Sequence, residues 1–100
     1  MVKRIPIRQL EGSSPPILDY GEVLREVVRR PLNPQAGASI EEMRQSIRVL
    51  DAIDAANGDL ELEDADYDHL VAKVRAMPWN IIDRRLVQFH DDVLGAREQP

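Results

Sequence analysis

The chain has 100 residues, 43% of them hydrophobic and 31% charged, with a formal net charge of −5 and no cysteine. That length suits one domain with one modest core, and the missing Cys excludes disulfides, thiolate metal sites and a cysteine nucleophile. The acidic balance argues against a general nucleic-acid binder, and apolar runs of two or three residues fall far short of the ~20 that span a bilayer.

Residues 1–16 read as an extended arm or edge strand followed by a linker. Ile5 and Ile7 share a face at the strand period of two, while Pro6 between them has no N–H to give a neighbouring strand. Lys3, Arg4 and Arg8 make this start basic, but no apolar signal region follows, so a cytoplasmic protein is expected. Glu11-Gly-Ser-Ser-Pro-Pro16 is a turn or linker. A helical body then occupies 17–95. Its first helix starts at Asp19, an N-cap with Glu22 in capping-box position and Leu18 and Val23 placed as a hydrophobic staple. Tyr20, Val23, Leu24, Val27 and Val28 form its apolar stripe, and Pro31 stops it.

Ser39-Ile-Glu-Glu42 opens a second helix with another capping box. Its predicted core stripe is Ile40, Met43, Ile47, Leu50 and Ile53, widened by Val49 and Ala52, and Asn57-Gly58 ends it. Asp59-Leu-Glu-Leu-Glu63 alternates as a half-buried strand, with the basic N-terminal segment as its natural partner. A third helix runs from Asp64 to Met77 on Tyr67, Leu70, Val71, Val74 and Met77, and Pro78 ends it. Asn80 is the expected cap of a fourth helix carrying Ile82, Leu86, Phe89 and Val93, closed by Gly95. Ile81, Val87 and Leu94 widen its apolar surface, and 96–100 is expected to fray. The order is strand–helix–helix–strand–helix–helix: a single domain over 1–100, α+β and mostly helical.

Residues 51–68 hold eight acids and no Lys or Arg. An EF-hand register fails there, because starting at Asp51 or Asp54 puts alanine, isoleucine or glycine where oxygen ligands belong. Asp64, Asp66 and Asp68 suit a helix N-terminus. His69 and His90 stand without a Ser elbow, a Gly-rich phosphate loop or a His-Glu-x-x-His motif, so no catalytic, metal or cofactor residue is assigned. Trp79 reads either as a corner plug between the last two helices or as an interface anchor.

With Ser39-Ile-Glu-Glu-Met-Arg-Gln-Ser-Ile-Arg-Val-Leu-Asp-Ala-Ile-Asp54 and Met77-Pro-Trp-Asn-Ile-Ile-Asp-Arg-Arg-Leu-Val-Gln-Phe-His-Asp-Asp-Val93 in view, the chain resembles small accessory proteins of tailed phages and prophages. The likeness lies in size, acidity and helix layout over 18–95. It implies an assembly partner. The expected function is therefore a non-enzymatic protein–protein interaction module that docks another protein or a second copy of itself, with no direct nucleic acid, membrane or small-molecule substrate. Trp79, Val87 and Leu94 are the contact candidates, with Arg25, Arg29, Arg30, Glu61 and Glu63 setting orientation. The alternative is an acidic regulator that mimics nucleic acid and blocks a basic site on a partner.

Overall fold

The computed structural model describes residues 2–99, the last three as backbone. Nine elements follow in order: β1 (Val2–Pro6), β2 (Gln9–Glu11), β3 (Ile17–Asp19), α1 (Tyr20–Arg29), α2 (Ile40–Ala55), β4 (Asp59–Glu63), α3 (Asp64–Ala76), α4 (Arg84–Leu94) and β5 (Arg97–Gln99). The class is α+β and mostly helical, as the sequence suggests, with three strands added to the predicted order.

The expected ribbon forms. β1 and β4 pair antiparallel, with Arg4 opposite Glu61 and Ile5 opposite Leu60. Alternation sorts their side chains, so that Ile5, Leu60 and Leu62 are buried while Asp59, Glu61 and Glu63 face solvent. Arg4 reaches Glu61 at 2.8 Å, the cross-strand ion pair anticipated from the charges. Gly58 leads into β4 at φ +86°, a left-handed conformation that only glycine adopts without strain. Its carbonyl accepts a hydrogen bond from the Ile7 N–H.

Two features of the termini differ from expectation. β1 is the middle strand, in the order β4-β1-β5, and not an edge or an arm. Pro6 is tolerated because it is the last residue of its strand, where a missing N–H costs the ladder least. The tail expected to fray instead supplies β5, with Val2 opposite Gln99 and Arg4 opposite Arg97. It satisfies backbone groups that β1 would otherwise leave open on its second side. Pro100, the end of that tail, lies outside the described residues. The stretch read as a linker is the loop of a hairpin, in which β2 pairs with β3.

Side-chain caps set the starts of α1 and α2, whereas α3 follows β4 directly with no side-chain cap. Asp19 accepts from the Gly21 N–H at 2.9 Å, and Ser39 Oγ from the Glu42 N–H at 3.1 Å. α3 is central: it packs on α1, α2 and α4 and also covers β1 and β4. The core is one contiguous cluster in which Ile5, Tyr20, Leu24, Leu60, Leu70 and Phe89 are fully buried. Burial of each such side chain is worth about 1.5–3 kcal/mol before the entropy of ordering is charged against it.

The stripe predicted for α2 is a correction. Ile40, Met43 and Ile47 are exposed, whereas Val49 and Ile53 are buried as expected and Ser46 is buried with them. Val49 and Ile53 do not carry Ile40 and Met43 inward with them, because α1 and α3 meet the neighbouring arc. The buried hydroxyl is tolerated because Ser46 Oγ lies 2.9 Å from His69 Nε2 on α3. Among the described residues, no helix is long and apolar enough to cross a membrane.

Candidate docking surface

The segment between α3 and α4 builds an apolar surface around Trp79. Pro78 terminates α3, whose last bond runs from the Met77 N–H to the Val74 carbonyl. The chain bends at Asn80 and Ile81 before reaching Asp83, which is the actual N-cap of α4 and accepts from the Arg85 N–H at 2.9 Å. The expected cap, Asn80, is exposed in the connection. The later start keeps Ile81 and Ile82 off the helix, so Ile82 joins no core stripe: it is 107% exposed, Ile81 52% and Val87 64%.

Trp79 is half-buried and takes the corner position between α3 and α4. One edge packs on Phe89 with ring centroids 6.1 Å apart, and Phe89 in turn meets Tyr20 edge-on at 5.1 Å. The rest of the indole borders two clefts. One, of about 320 Å³, is lined by Trp79, Ile81, Ile82, Leu86, Val87 and His90. The other, of about 410 Å³, runs toward α1 past Leu18, Val23 and Met77, and shares Trp79, Ile81 and Leu86 with the first. The two clefts therefore share Trp79 as a common wall.

Polar contacts fix the frame. Asp83 and Arg85 pair at 2.7 Å, and this bond holds the Asp83 carboxyl below its usual range. Arg85 also donates to the carbonyls of Leu10 and Pro15, clamping the hairpin loop to the start of α4. Gly12 permits the approach: a Cβ there would lie 2.6 Å from the guanidinium carbon. At the other end, the Tyr20 hydroxyl donates to Asp92 at 2.6 Å, and Arg8 pairs with the same carboxylate at 3.3 Å. Burial, then the bond to Asp92, pushes the Tyr20 hydroxyl above its ordinary value.

The remaining contact candidates are scattered. Leu94 is half-buried two turns along α4 from Val87, and its carbonyl accepts from Tyr67. Arg25 bonds Asp54 across to α2, Arg30 pairs with Glu26 and borders the second cleft, and Arg29 is exposed without an ion pair among the described residues. Glu61 is taken by Arg4, and Glu63 is exposed at the end of β4. Neither glutamate lines the Trp79 clefts.

Sequence reasoning missed a buried polar seam between α2 and α3. Lys73 is 4% exposed and donates to the carbonyls of Val28 and Arg30 and to Glu42, at 3.0, 2.6 and 3.0 Å. It thus closes the end of α1 with a cation, as the helix dipole favours. Its position three residues after Leu70, inside the predicted apolar arc, was the available signal. The bond from Lys73, followed by the Leu32 N–H, holds the Glu42 carboxyl below its usual value against the opposing effect of burial. Next to them, burial and then Lys73 lower the His69 imidazole, favouring its neutral form. The Ser46–His69 contact has the outline of a nucleophile and base. Ser46, however, sits in mid-helix, where backbone N–H groups are already bonded and cannot stabilise an oxyanion. The pair is a tie between two helices. Among the described residues no three His, Asp or Glu side chains gather as a metal ion would require.

Comparison with protein-family models, with curated proteins and with solved structures found no match.

Proposed function

We propose that the chain is a non-enzymatic docking module whose contact surface is the apolar ridge formed by Trp79, Ile81, Ile82 and Val87. The observation that carries this reading is the full exposure of Ile82 between two other exposed aliphatic residues, beside a half-buried tryptophan. Grouped apolar exposure of this kind marks partner surfaces, whereas single exposed aliphatics do not. Contacts hold the frame around the ridge: Phe89 supports the indole, and the Asp83–Arg85 clamp ties the helix start. Such a surface binds without paying for large rearrangement.

The resemblance to phage and prophage accessory proteins sets the biological expectation, an assembly or accessory role. The acidic-mimic alternative is weaker, because Asp54, Glu61 and Asp66 within the acidic stretch are each occupied by an arginine. Those pairs blunt the field that a phosphate mimic needs.

The test is quantitative capture with tagged wild-type chain and with Ile82→Asp/Val87→Asp, the untagged chain being counted among the possible partners. The wild type should retain a protein near one-to-one that the variant retains at least tenfold less. The variant should keep its own stability to within about 0.5 kcal/mol, since it changes surface positions only. Equal retention by both would overturn the reading.

A further inference from the structure

Resting on the docking reading, we infer that the occupant of the α4 face is a second copy of this chain, its α4 laid antiparallel across a two-fold axis beside Val87. α4 buries Phe89 and Val93, and its opposite, solvent-facing arc carries Arg84, Val87 and Asp91 at i, i+3 and i+7. Along that arc the order is cation, apolar, anion.

The same helix has its charges set against its own dipole. Arg84 and Arg85 occupy the first turn and Asp91 and Asp92 the last, the reverse of the favourable arrangement. Two of these four have local reasons. Arg85 is held by Asp83 and by the loop carbonyls, and Asp92 by Tyr20 and Arg8. The other two do not. Arg84 makes no ion pair or hydrogen bond among the described residues, and Asp91 only approaches its neighbour His90 at 3.6 Å.

An antiparallel copy supplies what both lack. With the axis between positions 87 and 88, a rise of about 1.5 Å per residue puts Arg84 of each copy level with Asp91 of the other, roughly 5 Å from the axis. Val87 meets Val87, and the two helix dipoles oppose. Exposed Ile81 falls at the end where the second copy brings Leu94. A closed two-fold interface makes every such contact twice. A foreign partner gives no reason for the arc to be complementary to its own reverse.

Sedimentation of the full chain over a range of concentrations tests this directly. The wild type should dimerise, more weakly as salt rises. Arg84→Glu and Asp91→Arg should each lower dimer affinity at least tenfold, and mixing the two variants should restore it, because every charge then faces its opposite. Both substitutions bring α4 into agreement with its dipole, so urea unfolding of the monomers should be unchanged or improved. A dimer lost through misfolding is thereby recognised. A wild type that stays monomeric, or single variants that do not recover on mixing, would overturn the inference. If the wild type is monomeric yet retains another protein that Ile82→Asp/Val87→Asp loses, the docking reading stands and the second copy does not. If neither holds, both fall.

Discussion

Truncating Phe89 to alanine should destabilise the protein by about 4 kcal/mol, read as a shift of the urea midpoint by circular dichroism. Phe89 is fully buried and is the one ring in contact with both Tyr20 and Trp79. Its loss therefore removes a large side chain and two edge-to-face contacts, and leaves a void that the surrounding helices and sheet can only partly close. A domain of this size has roughly 5–15 kcal/mol in total, so much of the population should unfold under mild denaturant. Tryptophan emission from the remaining folded molecules should move to longer wavelength, because the indole loses its inner support. A loss under 1 kcal/mol would show that Phe89 does not join the core to the Trp79 surface.

Lys73→Met is the second large effect, expected at about 3 kcal/mol by the same measurement. The methionine keeps most of the apolar stem but abandons the Glu42 carboxylate and the carbonyls of Val28 and Arg30. Adding Glu42→Leu should recover part of the loss, since replacing both members of a buried pair is far less costly than removing one. The pair also predicts an acid limb. Glu42 titrates below its usual value in the folded chain, so its contribution is complete above the unfolded carboxyl's pKa and is lost as pH falls through the folded one. In Lys73→Met that limb should flatten. An unchanged acid profile would mean that Lys73 does not hold Glu42 down.

Local signals were the most legible part of the fold. Asp19 and Ser39 cap the helices they were expected to cap, because an N-cap is decided by neighbours within three residues. The β1–β4 pairing was visible across 57 residues only because basic and acidic alternation matched. Where two local solutions competed, the sequence did not decide. Asn80 and Asp83 are both good caps, and Asp83 prevails with Arg85 bonded to its carboxylate and to the hairpin loop. That clamp depends on a loop some 70 residues away.

The α2 face was illegible for a similar reason. Ile40, Met43 and Ile47 form the more apolar stripe, but which arc is buried depends on where α1 and α3 sit, and on His69 being present to satisfy Ser46. Of the contact residues named from sequence, Trp79 and Val87 share a cleft because both flank the start of α4. The arginines and glutamates were grouped by their nearness in sequence. The structure spends Arg25, Arg30 and Glu61 on separate intramolecular pairs. Ile82, the most exposed large apolar residue among the described ones, reads as core in the sequence because an Asn80 cap would start the helix three residues before Asp83 does.

Trp79 is the sole tryptophan of the chain, so the chain's own tryptophan fluorescence reports on this one side chain beside the ridge. Acrylamide quenching, measured with and without the protein that the chain retains, should fall on binding for the wild type and stay level for Ile82→Asp/Val87→Asp. Quenching that is the same in the free and bound wild type would place the partner elsewhere and contradict the account.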